Sequence, residues 1–205
     1  MRVSVPADEL RGFDDLASLY REGTDFVVHV VLPRRSSVAV IAPHGGRIEG
    51  GTSVVARQIA GDEHGLYLFE GLRDGGDNFD RLHLTSHCFD EPRCLSLIAQ
   101  CETVIAVHGY AAPGPDVLLG GLDEPLKREL QQALVARGVS CLGDGHRYPG
   151  RDPRNVCNRG RGGRGVQLEL SARLRRSREY GAVVGVVRDV LGARPDDGDR
   201  RGVHD

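Results

Sequence analysis

Two short apolar runs constrain this chain most strongly, because each of them stops at a histidine that glycine follows. Residues 38–42 lead through a proline into His44, and residues 103–107 lead directly into His108. Short apolar runs between turn residues are typical of strands buried in a sheet. In α/β proteins, ligands bind where such strands end in glycine-bearing loops. The two histidines are therefore candidates for one site at the ends of two strands.

A metal centre is one interpretation of these strand ends. Four residues separate His44 from Glu49, so His44, Glu49 and His108 offer two imidazoles and one carboxylate. Zinc accepts such a set, keeps a further position open for water, and can lower the pKa of that water to about 7. The alternative is that the histidines only form hydrogen bonds in the core. The spacing alone leaves both interpretations open.

The composition limits the classes to which the protein can belong. The 205 residues, of which 40% are hydrophobic and 27% charged, are typical of one globular domain. A formal net charge of −2 argues against a nucleic-acid or membrane partner, and we expect a monomer. The five cysteines form no C-x-x-C pair and are expected to be reduced thiols. We expect a cytoplasmic protein without a signal peptide or membrane span, and the sequence leaves open whether lysis releases it.

Alternating helix and strand patterns predict a single α/β domain over residues 1–191, with a mixed, mostly parallel sheet flanked by helices. Apolar periodicity predicts helices at 8–21, 52–60, 92–101, 124–137 and 172–190, and strands at 26–32, 38–42, 65–69, 82–85, 103–107, 139–142 and 165–170. Residues 111–122 and 143–163 are expected to be loops, and the second is long enough to need a functional reason. Residues 192–205 have little to bury and are expected to form a disordered tail.

A candidate general base lies in the last predicted strand. Apolar residues alternate there with Gln167, Glu169 and Ser171, so these three side chains would share one face of the strand. A carboxylate on a central strand needs a reason, because an isolated buried charge is costly. A metal site with Glu169 as the base for water would supply that reason. The alternative is an edge strand with a solvated face.

Arginines surround this strand in the sequence, and a cationic rim would attract an anionic substrate. Arg159 and Arg175 are the candidates for binding a substrate carboxylate, because guanidinium groups bind carboxylates bidentately. His87 is a candidate for a group near the substrate or for an alternative metal ligand. The competing interpretation places the arginines on a solvated surface and His87 in a loop or a helix cap.

Taken together, four blocks of the sequence resemble the poly-γ-glutamate hydrolase family, which comprises zinc peptidases related in fold to carboxypeptidases. The blocks follow the family's order over most of the chain. They are APHGGRIEGGTS at 42–53, LTSH at 84–87 with FDEP at 89–92, VHG at 107–109, and NRG at 158–160 with GVQLELS at 165–171.

The resemblance implies an α/β core of zinc-carboxypeptidase type, a zinc ion held by His44, Glu49 and His108, and Glu169 as catalytic base. It also implies hydrolysis of the γ-amide links of poly-γ-glutamate, with an arginine or His87 stabilising the oxyanion. Some members are carried by phages and remove the capsule that shields a bacterial host. In the wider carboxypeptidase group two residues usually separate the first two ligands, whereas four do so here.

Two other functions stay open at this point. The first is a zinc deacylase or deformylase that acts on small N-acyl amino acids and that shares the fold. The second is a relative without catalytic activity that binds polyanions or a protein partner. Loss of a ligand or of the base would be expected in such a relative, and none of these residues is lost from the sequence.

Overall fold

The computed structural model describes residues 9–34 and 36–193. Its strands are β1 (Phe26–Val31), β2 (Val38–Gly46), β3 (Gly65–Gly71), β4 (Thr103–Tyr110), β5 (Val117–Gly120), β6 (Cys141–Leu142) and β7 (Val166–Ser171). Its helices are α1 (Phe13–Leu19), α2 (Thr52–Ala60), α3 (Asn78–Leu82), α4 (Pro92–Ile98), α5 (Glu124–Ala136), α6 (Ala172–Arg176) and α7 (Tyr180–Gly192).

The described strands form one seven-stranded sheet in the order β1-β3-β2-β4-β7-β5-β6. The four central strands β3, β2, β4 and β7 are parallel, whereas β1 and β5 pair with the sheet in the antiparallel sense. This arrangement confirms the predicted mixed, mostly parallel α/β fold. Because β2, β4 and β7 are parallel neighbours, their carboxyl ends meet at one edge of the sheet.

Apolar side chains pack on both faces of the sheet, and this explains why its central strands read as continuous apolar runs. On one face, Val40 and Ala42 of β2 belong to a core that includes residues of α2, α5 and α7. On the other face, Ala39 and Ile41 belong to a core with residues of α4 and the segment that contains α1. Complete burial of an aliphatic side chain such as Ile41 stabilises the fold by about 1.5–3 kcal/mol.

The strand that carries Glu169 lies inside the sheet. β7 pairs with β4 on one side and with β5 on the other, and all six of its residues are buried. The alternative of a solvated edge strand is therefore wrong. The polar row of Gln167, Glu169 and Ser171 faces the interior of the protein and must find its partners there.

Three local predictions were wrong. Residues 82–85 are not a strand, because Leu82 ends the short helix α3 and the next three residues are irregular. Residues 111–122 are not entirely a loop, because β5 lies within them and pairs with β7. Residues 172–190 form two helices rather than one, because α6 ends at the extended backbone of Ser177.

The remaining predictions about chain organisation have mixed outcomes. All five cysteines are free, as expected for reduced thiols. Within the described residues, no helix has both the length and the apolar character needed to cross a bilayer. Of the predicted tail at 192–205, only residues 192 and 193 are described, so the prediction of disorder concerns residues outside the described structure.

A matched pair of glycine substitutions tests how tightly β5 and β7 are joined. Gly121 follows β5 with φ +102°, and a Cβ atom there would collide with the Gly165 carbonyl before β7. Gly138 has φ +74° with no atom within 4 Å of such a Cβ. We expect Gly138→Ala to lower the free energy of unfolding by about 1–2 kcal/mol through backbone strain alone. Gly121→Ala adds a backbone collision and should lower it by at least about 3 kcal/mol.

Urea unfolding followed by circular dichroism measures both effects. Equal losses of stability in the two variants would contradict the close contact between the ends of these strands.

Candidate metal centre

The loop after β2 brings His44 and Glu49 together. The pairing of β2 with β3 shifts its register between Ala42 and Gly45, and such a bulge re-aims the side chain that it contains. The loop then folds back, because the backbone N–H of Glu49 donates to the His44 carbonyl at 3.0 Å. As a result His44 Nδ1 and Glu49 Oε1 lie 3.3 Å apart, and both side chains are buried.

Each of these two side chains has a second partner that leaves one ligand atom free. His44 Nε2 lies 2.6 Å from the Leu84 carbonyl, which can only accept, so Nε2 carries a proton and Nδ1 is the atom turned towards Glu49. Glu49 Oε2 accepts a hydrogen bond from the backbone N–H of Gly109 at 2.7 Å, which leaves Oε1 available. Outer partners of this kind orient the ligands of a metal site.

His108 reaches the same place from β4. Its Nδ1 lies 3.1 Å from His44 Nδ1 and 3.8 Å from Glu49 Oε2. Its Nε2 is buried and has no hydrogen-bond partner among residues 9–34 and 36–193. The structure therefore brings His108, from a distant segment of the sequence, to His44 and Glu49, which share one loop.

His83 is a fourth member of the cluster, and its place there was not predicted from the sequence. Its Nε2 lies 3.4 Å from Glu49 Oε1, and its ring centroid is 3.9 Å from that of His44. Ligand atoms of His44, Glu49 and His83 all lie within 4.8 Å of one another. The available sequence signal was that His83 directly precedes the LTSH block at 84–87, but the incorrect prediction of a strand at 82–85 included this residue.

The distances within the cluster fit a zinc ion. Tetrahedral ligands about 2.0–2.1 Å from zinc lie about 3.3 Å from one another. Three pairs come close to this spacing: His44 with Glu49 at 3.3 Å, His44 with His108 at 3.1 Å, and His83 with Glu49 at 3.4 Å. Glu49 and His108 lie farther apart, at 3.8 Å. Two imidazole nitrogens that face each other at 3.1 Å must share a proton or a cation. Nitrogen and carboxylate donors both suit zinc.

Electrostatics keeps the cluster in the protonation state that a metal needs. Burial, together with the charge of His44, lowers the pKa of His108 to about 3, and the same two causes lower the pKa of His83. Burial would raise the pKa of Glu49, but the charge and hydrogen bond of His44, assisted by His83 and His108, hold that pKa well below its usual range. The lowered pKa values favour neutral imidazoles at His83 and His108 beside an ionised Glu49, and these groups can bind a cation without first losing protons.

Glu169 lies beside this cluster on the neighbouring strand. It is directly opposite His108 in the register of β4 and β7, and adjacent residues of parallel strands point to the same face. Burial, followed by the negative charge of Glu49, raises the pKa of Glu169 to about 8. A hydrogen bond from Gln167 Nε2 at 2.7 Å and the charge of Arg175 oppose this shift. A bound dication would lower the pKa of Glu169 and so favour the ionised carboxylate that a base requires.

Arg175 holds three segments of the site together. Its Nε donates to the Leu170 carbonyl at 3.1 Å, its Nη1 to the Gly50 carbonyl at 2.5 Å and its Nη2 to the Tyr110 carbonyl at 3.3 Å. The guanidinium packs so closely on Gly109 that a Cβ atom there would overlap it. Arg175 thus braces the backbone around the cluster, and its predicted contact with substrate stays a prediction.

Arg159 and His87 lie towards the surface. Arg159 is exposed, and its Nη1 donates to the Phe89 carbonyl at 3.3 Å. His87 is exposed in the turn at 86–88 and is not part of the group formed by His44, Glu49 and His83. Substrate binding by Arg159 and His87 stays a prediction.

Known proteins are similar to this chain over most of its length. Residues 11–178 match the family described as poly-γ-glutamate hydrolase. YndL of Bacillus subtilis strain 168 is 38% identical over 172 residues, which make up 83% of this chain and 66% of YndL. The SPbeta prophage-derived protein YoqZ of the same strain is 36% identical over 174 residues, which make up 84% of this chain and 62% of YoqZ. The chain thus spans somewhat less than two thirds of the length of these relatives.

Solved structures agree with the fold. A bacteriophage poly-γ-glutamate hydrolase superposes with a TM-score of 0.83 at 26% identity, over 90% of this chain and 97% of that one. A zinc-free structure of YndL superposes with a TM-score of 0.82 at 32% identity, over 91% of this chain and 98% of that one. Both likenesses confirm the α/β fold class predicted from the sequence.

The depressed pKa of His108 predicts how the metal-free protein responds to acid. The folded pKa of about 3 lies below the ordinary 6.5 of the unfolded chain. The unfolded state therefore binds more protons between these values, and stability falls as the pH falls from 6.5. His83 acts in the same direction. Glu169 acts in the opposite direction, because its raised pKa makes the folded state bind the extra proton in this range. We therefore expect the melting temperature of chelator-treated wild-type protein to decrease relative to that of His108→Gln as the pH falls from 6.5 to 5.

Differential scanning calorimetry in chelating buffer measures this slope, and His87→Gln, which removes an exposed imidazole, is the matched control. The same slope of melting temperature against pH in His108→Gln and in wild-type protein would show that His108 is not held neutral by burial.

Proposed function

Because the chain belongs to the poly-γ-glutamate hydrolase family, we propose that it is a zinc-dependent hydrolase that cleaves the γ-glutamyl amide bonds of poly-γ-glutamate. Membership of the family supports a hydrolase. One observation carries the finer proposal: a buried cluster of imidazoles and one carboxylate lies at the ends of β2 and β4, and the buried carboxyl group of Glu169 stands on the adjoining strand.

His44, Glu49 and His108 are the proposed metal ligands. The support for His44 and Glu49 is that each has one ligand atom free while an outer backbone partner holds the other. The support for His108 is the 3.1 Å approach of its Nδ1 to that of His44 and its complete enclosure. His83 competes for the third position, because its Nε2 also approaches Glu49, but it is half-buried and stacks on the exposed ring of Phe79. Partial exposure suits a group that donates a hydrogen bond to the substrate carbonyl.

The residues of the chain divide the chemistry of amide hydrolysis between them. When bound, zinc would supply Lewis-acid polarisation and a lower pKa for water. Glu169 takes a proton from the attacking water and passes it to the nitrogen of the leaving amine. His83 donates to the carbonyl oxygen as negative charge develops there. Arg159, on the surface, is proposed to bind a carboxylate of the anionic substrate.

Neither alternative function is favoured by the site. A deacylase of small N-acyl amino acids would share the metal cluster, but no feature of the described residues selects a small substrate. A non-catalytic relative would be expected to lack a ligand or the base, and all the residues proposed for these roles are present in the sequence.

Chelation and one isosteric substitution test the proposal. We expect the protein to lower the viscosity of a poly-γ-glutamate solution, to lose this activity in chelator, and to regain it with zinc. Glu169→Gln keeps the shape of the side chain but cannot accept the proton, and we expect it to lower kcat by at least about a hundredfold while the zinc content stays unchanged. Glu63→Gln changes an exposed glutamate far from the cluster and is the matched control. Full activity of Glu169→Gln, or of metal-free protein, would overturn the mechanism.

Substitution of each histidine tests the assignment of the third ligand. We expect His108→Ala to lose stoichiometric zinc and all activity, because a ligand is removed. We expect His83→Ala to retain zinc and to lower kcat by about tenfold to a hundredfold, because only a hydrogen bond to the transition state is removed. Elemental analysis of the purified variants gives the zinc content directly. Loss of zinc from His83→Ala together with its retention in His108→Ala would exchange the two roles.

A further inference from the structure

Three buried polar side chains form a line that ends at Glu169. Asn155 Nδ2 donates to Gln167 Oε1 at 2.9 Å, and Gln167 Nε2 donates to Glu169 Oε1 at 2.7 Å. Each of the three residues is at most 6% exposed. Buried amides at such distances depend on one another, because an unpaired donor or acceptor cannot turn to water.

The direction of this line is fixed by the backbone. The N–H of Cys157 donates to Asn155 Oδ1 at 3.1 Å. A backbone N–H can only donate, so Asn155 must present its oxygen there and its NH₂ group to Gln167. Gln167 must then accept through its oxygen, and only its NH₂ group remains for Glu169. The orientation of both amides therefore follows from one backbone donor.

This direction selects one oxygen of Glu169. Oε1 accepts from Gln167, whereas no donor within the described ranges 9–34 and 36–193 reaches Oε2. Because Oε2 has no donor among these residues and is nevertheless not one of the fully buried unpaired atoms, part of its surface is accessible. The carboxyl plane is thus held through one oxygen, and the other is left open to the site.

The segment that supplies Asn155 is itself held firmly. Asn158 donates to the carbonyls of Gly150 and Asp152 at 2.8 and 2.9 Å, and it accepts from the N–H groups of Leu122 and Gly165 at 3.1 and 3.3 Å. The stretch 143–163 was expected to need a functional reason for its length. Delivery of Asn155 to the buried row of β7 supplies such a reason.

We propose that Asn155 and Gln167 are positioning residues that hold Glu169 through Oε1 so that Oε2 faces the reacting water. The inference rests on the proposed function, because it needs Glu169 to be the base. Neither residue touches the substrate, so both act on kcat rather than on KM. Gln167 acts directly on Glu169, and Asn155 acts only through Gln167.

Two single variants and their combination test this relay, by which we mean the hydrogen bonds that run from Asn155 through Gln167 to Glu169. Gln167→Met keeps the length of the side chain and removes the donor. Asn155→Asp keeps the oxygen that accepts from Cys157 but presents a second oxygen to Gln167, whose amide must then rotate and turn its own oxygen towards Glu169. We expect each variant to lower kcat on poly-γ-glutamate by about tenfold to a hundredfold, with KM within about twofold of wild type. We expect the double variant to fall no further than Gln167→Met alone, because Asn155 acts through Gln167.

The controls separate this proposal from the one on which it rests. Gln100→Met alters an exposed glutamine on another segment and should leave kcat unchanged. Zinc content and melting temperature are measured for every variant, and losses of kcat that only follow losses of zinc or of folded protein would overturn the relay. Independent, multiplicative effects of the two substitutions would also overturn it. If Glu169→Gln is inactive but Gln167→Met and Asn155→Asp are fully active, the relay fails and the base stands. If Glu169→Gln is active, the base itself fails.

Discussion

The buried carboxylate of Glu49 is the interaction on which the rest of the site depends. One of its oxygens lies 3.3 and 3.4 Å from nitrogens of His44 and His83, and the other accepts a hydrogen bond from the backbone of Gly109 at 2.7 Å. Glu49 thereby joins the loop after β2, the segment after α3 and the end of β4. A carboxylate in this position would be costly without nearby positive charge. The surrounding imidazoles supply part of that charge when protonated, and a bound dication would supply it fully.

The parallel sheet turns this local cluster into a site with a base. Because β4 and β7 are in register at His108 and Glu169, two strands that are distant in sequence present their functional side chains side by side. Arg175 then ties the backbone of β7, β4 and the loop after β2 through three carbonyl oxygens. The backbone pairing of the sheet sets the spacing of His108 and Glu169, whereas the loop after β2 sets that of His44 and Glu49.

The sequence predicts those parts of the molecule that local periodicity or spacing encodes. Residues 38–42 and 103–107 are strands because they are buried on both faces, and the glycines after them identify the strand ends. The pairing of His44 with Glu49 is also local, since one short loop carries both. The polar row around Glu169 was visible as an alternation, although only the pairing of β7 with β5 shows that the strand is central.

Other parts could not be predicted because they depend on contacts between distant segments. His83 follows a five-residue helix, where the apolar residues Leu82 and Leu84 imitate a strand, and its role is defined only by its distance from Glu49. β5 has four residues and takes its stability from β7 rather than from its own pattern. Asn155 lies in a stretch without periodicity, and only the fold brings it to Gln167.

X-ray diffraction at the zinc absorption edge, from crystals of the zinc-loaded protein, locates the metal ion and its ligands. We expect one anomalous peak, about 2.0–2.2 Å from His44 Nδ1, from Glu49 Oε1 and from a nitrogen of His108. A peak at another place, or crystals grown with zinc that show no peak among these residues, would contradict this expectation.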